Sequence, residues 1–380
     1  MDIETLLEDC VAFTQTLIQT PSRTHEERVI AELIAAHLRQ AGFDEVWLDE
    51  LHNVYGRVYG RDRTLPALVL NSHTDHVDPG DLSLWAVPPF AGQIVEGQII
   101  GRGACDIKGP LAVQVYSMIG LLRNGERPRR DVVFCGVVEE EIGGTGAKYW
   151  VKNLDYPVAL VVLGEPSSNR LSLGHRGIEG YWVQFNGRSV HASAPARGEN
   201  PNYYLAIFLQ RLADQQSELK NHPYLGATTV SPTIIEVDTA SSNVTPAWVR
   251  VFLDFRTAAE SPASLLAFIA ELAHDLPHTI LPGHTWSDMS SDTPLVGFAT
   301  DPESEVVQRV QAALSKGTGR EVPLASYGFA TDGRFFPAYG IQVLGYAPGA
   351  EELAHTAKES IPIVEMGEAL RGYMQLLREF

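Results

Sequence analysis

Apolar residues recur with a helical period at the start of the chain and then give way to the short runs typical of buried strands. Leu6, Val11, Phe13, Leu17 and Ile18 predict one amphipathic helix that stops before Pro21. Ser22-Arg23-Thr24-His25-Glu26-Glu27 reads as the cap of a second. The apolar set of that helix includes Ile30, Leu33, Ile34 and Leu38, and Gly42 ends it. Apolar runs at 67–70, 132–138 and 158–163 predict strands, and a helix over 108–123 carries Leu111, Val115, Met118, Ile119 and Leu122 on one side. Alternating strands and helices to about residue 165 suggest an α/β sheet with parallel pairs.

The pattern changes near Gly177. Segments 181–185, 229–237 and 248–255 read as strands, and 203–219 and 262–276 as helices. This β-α-β-β-α order predicts a small α+β sandwich inserted into the first domain. A helix (303–316), a short strand (342–346) and a final helix (364–378) then return the chain to that domain. The fold class expected is α/β: a mixed, largely parallel sheet between helices, plus an inserted α+β sandwich serving as lid or dimerisation element. The corresponding domains are 1–176 with 291–380, and 177–290.

Composition narrows the function. A chain of 380 residues is long enough for two cores, and its 44% hydrophobic and 20% charged content is ordinarily globular. A net charge of −18 argues against nucleic acid and against anionic membrane surfaces as partners. Cys10, Cys105 and Cys135 form no C-x-x-C pair, which argues against a disulfide framework. Asp2, Glu4, Glu8 and Asp9 stand where a signal peptide needs positive charge, and no apolar run approaches the ~20 residues of a membrane span. A cytoplasmic protein is therefore expected, and the sequon Asn243-Val244-Thr245 is accidental.

The candidate chemistry lies at strand ends. His73 and Asp75 follow the run at 67–70, Glu140 and Glu141 follow 132–138, and Glu165 follows 158–163. In open α/β sheets ligands bind beyond the carboxyl ends of strands, so these residues converge on one edge. On an extended segment His73 and Asp75 share a face, which suits a metal-ligating imidazole held by a carboxylate, while His76 points the other way. Asp106, in Gly101-Arg102-Gly103-Ala104-Cys105-Asp106, is either a helix cap or a carboxylate bridging two metals. Glu139-Glu140-Glu141 before Ile142-Gly143-Gly144 is either a solvated loop or a cluster in which one acid binds metal and its neighbour acts as general base.

In order along the chain, His73-x-Asp75, Gly-Arg-Gly-Ala-Cys-Asp106-Ile-Lys-Gly, Glu-Glu141-Ile-Gly-Gly, Gly-Glu165-Pro and Ala-His355-Thr resemble a known set. The set belongs to the metallopeptidase family of succinyl-diaminopimelate desuccinylase, acetylornithine deacetylase, aminoacylase and glutamate carboxypeptidase. The resemblance covers nearly the whole chain, including Trp85 and Pro89-Phe90. It implies that His73, Asp106 and Glu165 hold one metal and that Asp106, Glu141 and His355 hold another. It also implies that Glu140 is the general base, that Asp75 orients His73, and that the peptide after Asp106 is cis. His191 is implied to reach a partner subunit's site and stabilise the oxyanion, with Asn243 and Arg256 on the substrate carboxylate. Thr331 and Arg334, in Thr331-Asp332-Gly333-Arg334-Phe335, resemble the substrate loop of the desuccinylase branch. His76 and Asp78 depart from the apolar residues or proline that family members often carry there.

Three carboxylates and a bridging hydroxide balance two divalent cations. Three protein ligands and a shared water per metal suit zinc, and carboxylate-rich sites also accept manganese or cobalt. The expected activity is removal of an acyl group from an N-acyl amino acid with a free carboxylate, by a metal-bridging hydroxide, in a homodimer. A dinuclear carboxypeptidase or dipeptidase is the alternative. A catalytically silent binding protein is disfavoured because every catalytic position is filled, and no G-x-G-x-x-G follows a strand to support a dehydrogenase.

Overall fold

The computed structural model describes residues 2–258, 260–283 and 297–380. The chain forms two compact units, Met1–Gly174 with Ala299–Phe380, and His175–Phe298. The first boundary expected from sequence, at 176/177, falls just inside the second unit; the other, at 290/291, lies outside the described residues. Eight α-helices are found among the described residues. Helices α1 (Ile3–Ile18), α2 (Arg28–Gln40), α3 (Gly109–Arg123) and α4 (Thr145–Lys152) come first. Helices α5 (Pro201–Gln215) and α6 (Pro262–Leu272) belong to the second unit, and α7 (Glu305–Thr318) and α8 (Ile363–Glu379) follow it. None is long and apolar enough to cross a membrane.

The first unit is built on a mixed sheet. Its strands run in the order Glu45–Leu48, Val54–Val58, Val132–Val137, Ala67–His73, Val158–Leu163, Gln342–Gly345 and Leu171–His175. Ala67–His73 pairs in parallel with both Val132–Val137 and Val158–Leu163, and Gln342–Gly345 pairs in parallel with Val158–Leu163. The flanking pairs are antiparallel. The central strands are almost wholly buried, which is why they read as continuous apolar runs rather than alternating ones. Their parallel direction sends His73, Glu140 and Glu165 to the same edge.

Two details differ from the sequence reading. Helix α3 has no solvent side: every residue from Gly109 to Leu121 is buried, against α1, α8 and the strand Ala67–His73. A helix covered all round needs apolar residues on every face, and Val113, Tyr116 and Leu121 supply the ones that a one-sided pattern leaves out. Nor does any side chain of the 22–27 segment cap α2, where Glu27, the residue just before the helix, makes no capping bond. Thr24 and Glu27 reach towards the acidic cluster instead, as shown below.

The second unit carries an antiparallel sheet in the order Thr229–Val237, Trp248–Thr257, Gly177–Asn186 and His278–Pro282. The last strand is absent from the β-α-β-β-α reading, because His278–Pro282 is short and ends in proline. Helices α5 and α6 pack against each other, and α5 packs on the sheet. Phe185, Phe208, Val251, Leu253, Phe255, Leu265 and Ile269 fill the core between them. The Phe208 ring lies 5.3 Å from that of Phe185 and is fully buried. Truncating it leaves a cavity, so Phe208→Ala is expected to destabilise this unit by about 3–5 kcal/mol. Denaturant unfolding checks this, and a change under about 1 kcal/mol would contradict the packing described.

Candidate metal centre

All five expected metal ligands lie in the first unit, and the structure brings four of them into direct contact. Asp106 is the hub. Its Oδ1 faces His73 Nε2 at 3.0 Å and its Oδ2 faces His355 Nε2 at 3.2 Å. Glu141 Oε2 lies 3.0 Å from the same His355 nitrogen, and Glu165 Oε1 lies 4.0 Å from His73 Nε2. His73, Asp106 and Glu141 each offer a ligand atom, all within 4.8 Å of one another.

Each residue is delivered by a distinct local device. His73 is the last residue of its strand, and Asp106 follows the left-handed Gly103 in a turn that leads into α3. Glu140 and Glu141 open a single 3-10 turn after Glu139, which itself takes a left-handed backbone. His355 also has a positive φ of 63°, a conformation disfavoured for a non-glycine residue and common at functional sites.

Asp75 organises the cluster from behind. His73 Nδ1 is 3.1 Å from the Asp75 carbonyl oxygen and 3.3 Å from its Oδ1, so that nitrogen donates and leaves Nε2 turned to Asp106. The same carboxylate accepts the backbone N–H of Glu140 (3.2 Å) and of Glu141 (3.3 Å), and the Thr24 hydroxyl (2.9 Å). Glu27 in turn accepts the N–H of Glu139 at 3.1 Å. Asp75 therefore fixes one imidazole and the backbone of both acids. Asp75→Asn is expected to cost about 10–100-fold in metal affinity, the usual scale for a partner that orients a ligand. Competition with a chromophoric chelator checks this, and an unchanged affinity would contradict it.

Charge is out of balance within the protein itself. Burial, then the charges of Glu165 and Asp332, hold the Glu140 carboxyl well above the usual carboxylate range. Burial and Asp106 raise Glu141. Burial raises Glu165 well above its usual range, opposed by His73 and reinforced by Asp106. Asp106 goes the other way: burial would raise it, but its bonds to His355 and His73 hold it low. The bonds to Asp106 and Glu141 push His355 up to about 10. For His73, burial works against charge, yet Asp106 and Asp75 raise it well above its ordinary value. Buried carboxylates and imidazole nitrogens converging on one point, with acids in excess, are a donor set suited to divalent cations. The residues present fit divalent cations held by His73, Asp106 and Glu141.

The remaining expected site residues fall in two places. In the second unit, His191 and Asn243 are neighbours, because Val190–His191 pairs with Val244–Thr245 and Ala192 N–H donates to the Asn243 carbonyl at 2.8 Å. His191 is exposed, and its Nδ1 accepts the Ser193 backbone N–H at 3.1 Å, so Nε2 carries the ring proton and is free to donate. Arg256 is held by Asp254 on its own strand, through Nε at 2.8 Å and Nη2 at 3.2 Å. In the first unit, Thr331 is buried and accepts Gly333 N–H at 3.1 Å, while Arg334 donates to the Gly143 carbonyl at 2.9 Å. Arg334 thus ties the Thr331–Phe335 loop to the Glu-Glu-Ile-Gly-Gly turn, while Thr331 bonds within the loop. A side chain at Gly144 would collide with the Asp332 carboxylate, which explains the second glycine of that turn.

Other residues complete the surroundings of the site, and Thr24 and Glu27 differ from the sequence reading. His76 is buried, and its Nε2 accepts Ser22 N–H at 2.9 Å while Nδ1 lies 2.8 Å from the Val77 carbonyl; it is a backbone clamp, and burial pushes its pKa down to about 4. The peptide Asp106-Ile107 is cis. Burial and Glu359 push the Cys105 thiol up, which leaves it unreactive. Thr24 and Glu27 resembled a helix cap, and nothing in their spacing links them to acids more than forty residues away.

Known proteins resemble this chain over nearly its full length. A sequence model of peptidase family M20/M25/M40 matches residues 69–379. A Bradyrhizobium protein named succinyl-diaminopimelate desuccinylase is 29% identical over 352 residues, covering 88% of this chain and 89% of its own. Among solved structures, the aminopeptidase PepT of Bacillus cereus superposes with a TM-score of 0.77 at 20% identity, covering 100% of this chain and 99% of its own. A Bacillus subtilis protein described as a dinuclear metal binding peptidase gives a TM-score of 0.70 at 15% identity, covering 98% of each chain.

Proposed function

The chain belongs to peptidase family M20/M25/M40 and is a hydrolase, and we propose that it removes the acyl group from an N-acyl amino acid with two divalent metal ions. The observation that carries this reading is the position of Asp106, each of whose carboxylate oxygens faces a different imidazole. In this reading His73, Asp106 and Glu165 hold one ion, and Asp106, Glu141 and His355 hold the other. Three protein ligands per ion favour zinc, with cobalt or manganese as substitutes. Bound there, the ions supply Lewis acidity to the scissile carbonyl and acidify water at neutral pH.

The chain's own groups do the rest. Glu140 stands beside the ligands, and its side chain makes no hydrogen bond among those the structure describes, so it is free to take the proton of the attacking water. It then passes that proton to the departing amine nitrogen. Asp75 keeps His73 in the tautomer that presents Nε2. In this reading His191 would reach a partner subunit's site and offer its Nε2–H to the oxyanion there, and Asn243 and Arg256 would take the substrate carboxylate, for which Arg256 would exchange its bond to Asp254. A homodimer belongs to the same proposal. It is supported by Ile234, Ile235 and Val237, which are exposed on one edge strand of the second unit's sheet.

The substrate class rests on the desuccinylase name of the Bradyrhizobium relative. Primary-amine release by zinc-loaded protein across N-succinyl, N-acetyl and N-formyl amino acids and a set of dipeptides tests it. Preference for an N-acyl amino acid is the expected result. Cleavage of dipeptides alone would replace the deacylase reading with a peptidase one.

A further inference from the structure

Glu359 and Arg102 form a fully buried ion pair that none of the roles above uses. Glu359 Oε2 receives Arg102 Nη1 at 2.5 Å, and its Oε1 accepts two backbone N–H groups, from Cys105 at 3.2 Å and from Asp106 at 3.1 Å. Gly101 N–H donates to the Glu359 carbonyl at 3.1 Å, and Ser360–Pro362 continues as a strand antiparallel to Gln98–Ile100. The Arg102 guanidinium also sits 5.2 Å from the centre of the Trp85 ring. One carboxylate thus grips the turn that presents Asp106, and it stands four residues beyond His355.

Buried ion pairs seldom stabilise a fold on balance, because desolvation offsets their attraction, so orientation is the better account of this one. We infer that Glu359, held by Arg102, is a positioning residue for the metal position formed by Asp106, Glu141 and His355. The two segments it joins are 253 residues apart in the chain and carry two of that position's three ligands. The other position takes only Asp106 from these segments, because His73 ends one sheet strand and Glu165 follows another by two residues. The inference rests on the two-ion reading and adds the device that assembles one of the two positions.

The test titrates Zn²⁺ into metal-free full-length protein against a chromophoric competitor. Two double variants are compared, Arg102→Met with Glu359→Gln, and Arg102→Met with Glu359→Leu. Both remove the buried charges, but only glutamine keeps an oxygen for the two N–H groups. The glutamine form is expected to bind both equivalents at near-native affinity. The leucine form is expected to bind one equivalent about 10–100-fold more weakly and to weaken the other, which takes only Asp106 from the clamped segments, by less. Glu359→Asp preserves the charge and shortens the reach by one methylene, a milder change for folding, and is expected to weaken the same equivalent more than the other. Equal affinities in the two double variants, or equal weakening of both equivalents in Glu359→Asp, would overturn the clamp. Failure of the unmodified protein to bind two equivalents would overturn the clamp together with the site.

Discussion

Glu140→Gln is expected to keep both metal ions and to lose at least ~10²-fold in kcat, the scale of a general base. The argument is one of position and charge. Glu140 adjoins the ligand Glu141 on the same 3-10 turn, and its backbone N–H is fixed by Asp75. Burial, Glu165 and Asp332 raise its proton affinity above that of an ordinary carboxylate, and divalent cations bound beside it would offset that rise. Glutamine fills the same space and accepts no proton. Kinetics and metal analysis on one preparation separate the outcomes. Near-native turnover would remove Glu140 from the mechanism, and lost metal would make it a ligand instead.

The second large effect is expected at Asp106. Replacing it by asparagine changes little in volume but removes the one carboxylate among the described residues that faces both His73 and His355. Affinity for metal is expected to fall by more than about 100-fold, beyond the range seen when only an orienting partner is lost. Turnover falls with it at limiting metal. Two equivalents bound at native affinity would contradict the shared role of this carboxylate.

Much of this site was legible before any coordinates. The central strands are buried on both faces and so read as unbroken apolar runs, and acids and histidines directly after them mark the sheet's carboxyl edge. What could not be read is whatever depends on tertiary approach. Thr24 looks like a capping residue by spacing but hydrogen-bonds to Asp75. Glu359 carries no local pattern, because its meaning lies in two backbone N–H groups far away in the chain. Helix α3 reads as one-sided when only its most regular apolar positions are counted, yet neighbours close over every face. The bond of Arg334 to the Gly143 carbonyl is likewise a tertiary detail that no local pattern carries. The strand His278–Pro282 is too short for its alternation to stand out.

The most direct test of the two-ion account is a metal titration followed by activity. Protein stripped with a chelator is reloaded with zinc in steps while amine release from its preferred N-acyl amino acid is measured. The account predicts no turnover in the stripped protein, recovery as metal is restored, and a plateau at two equivalents per chain. Full turnover by protein shown to hold no divalent metal would contradict it.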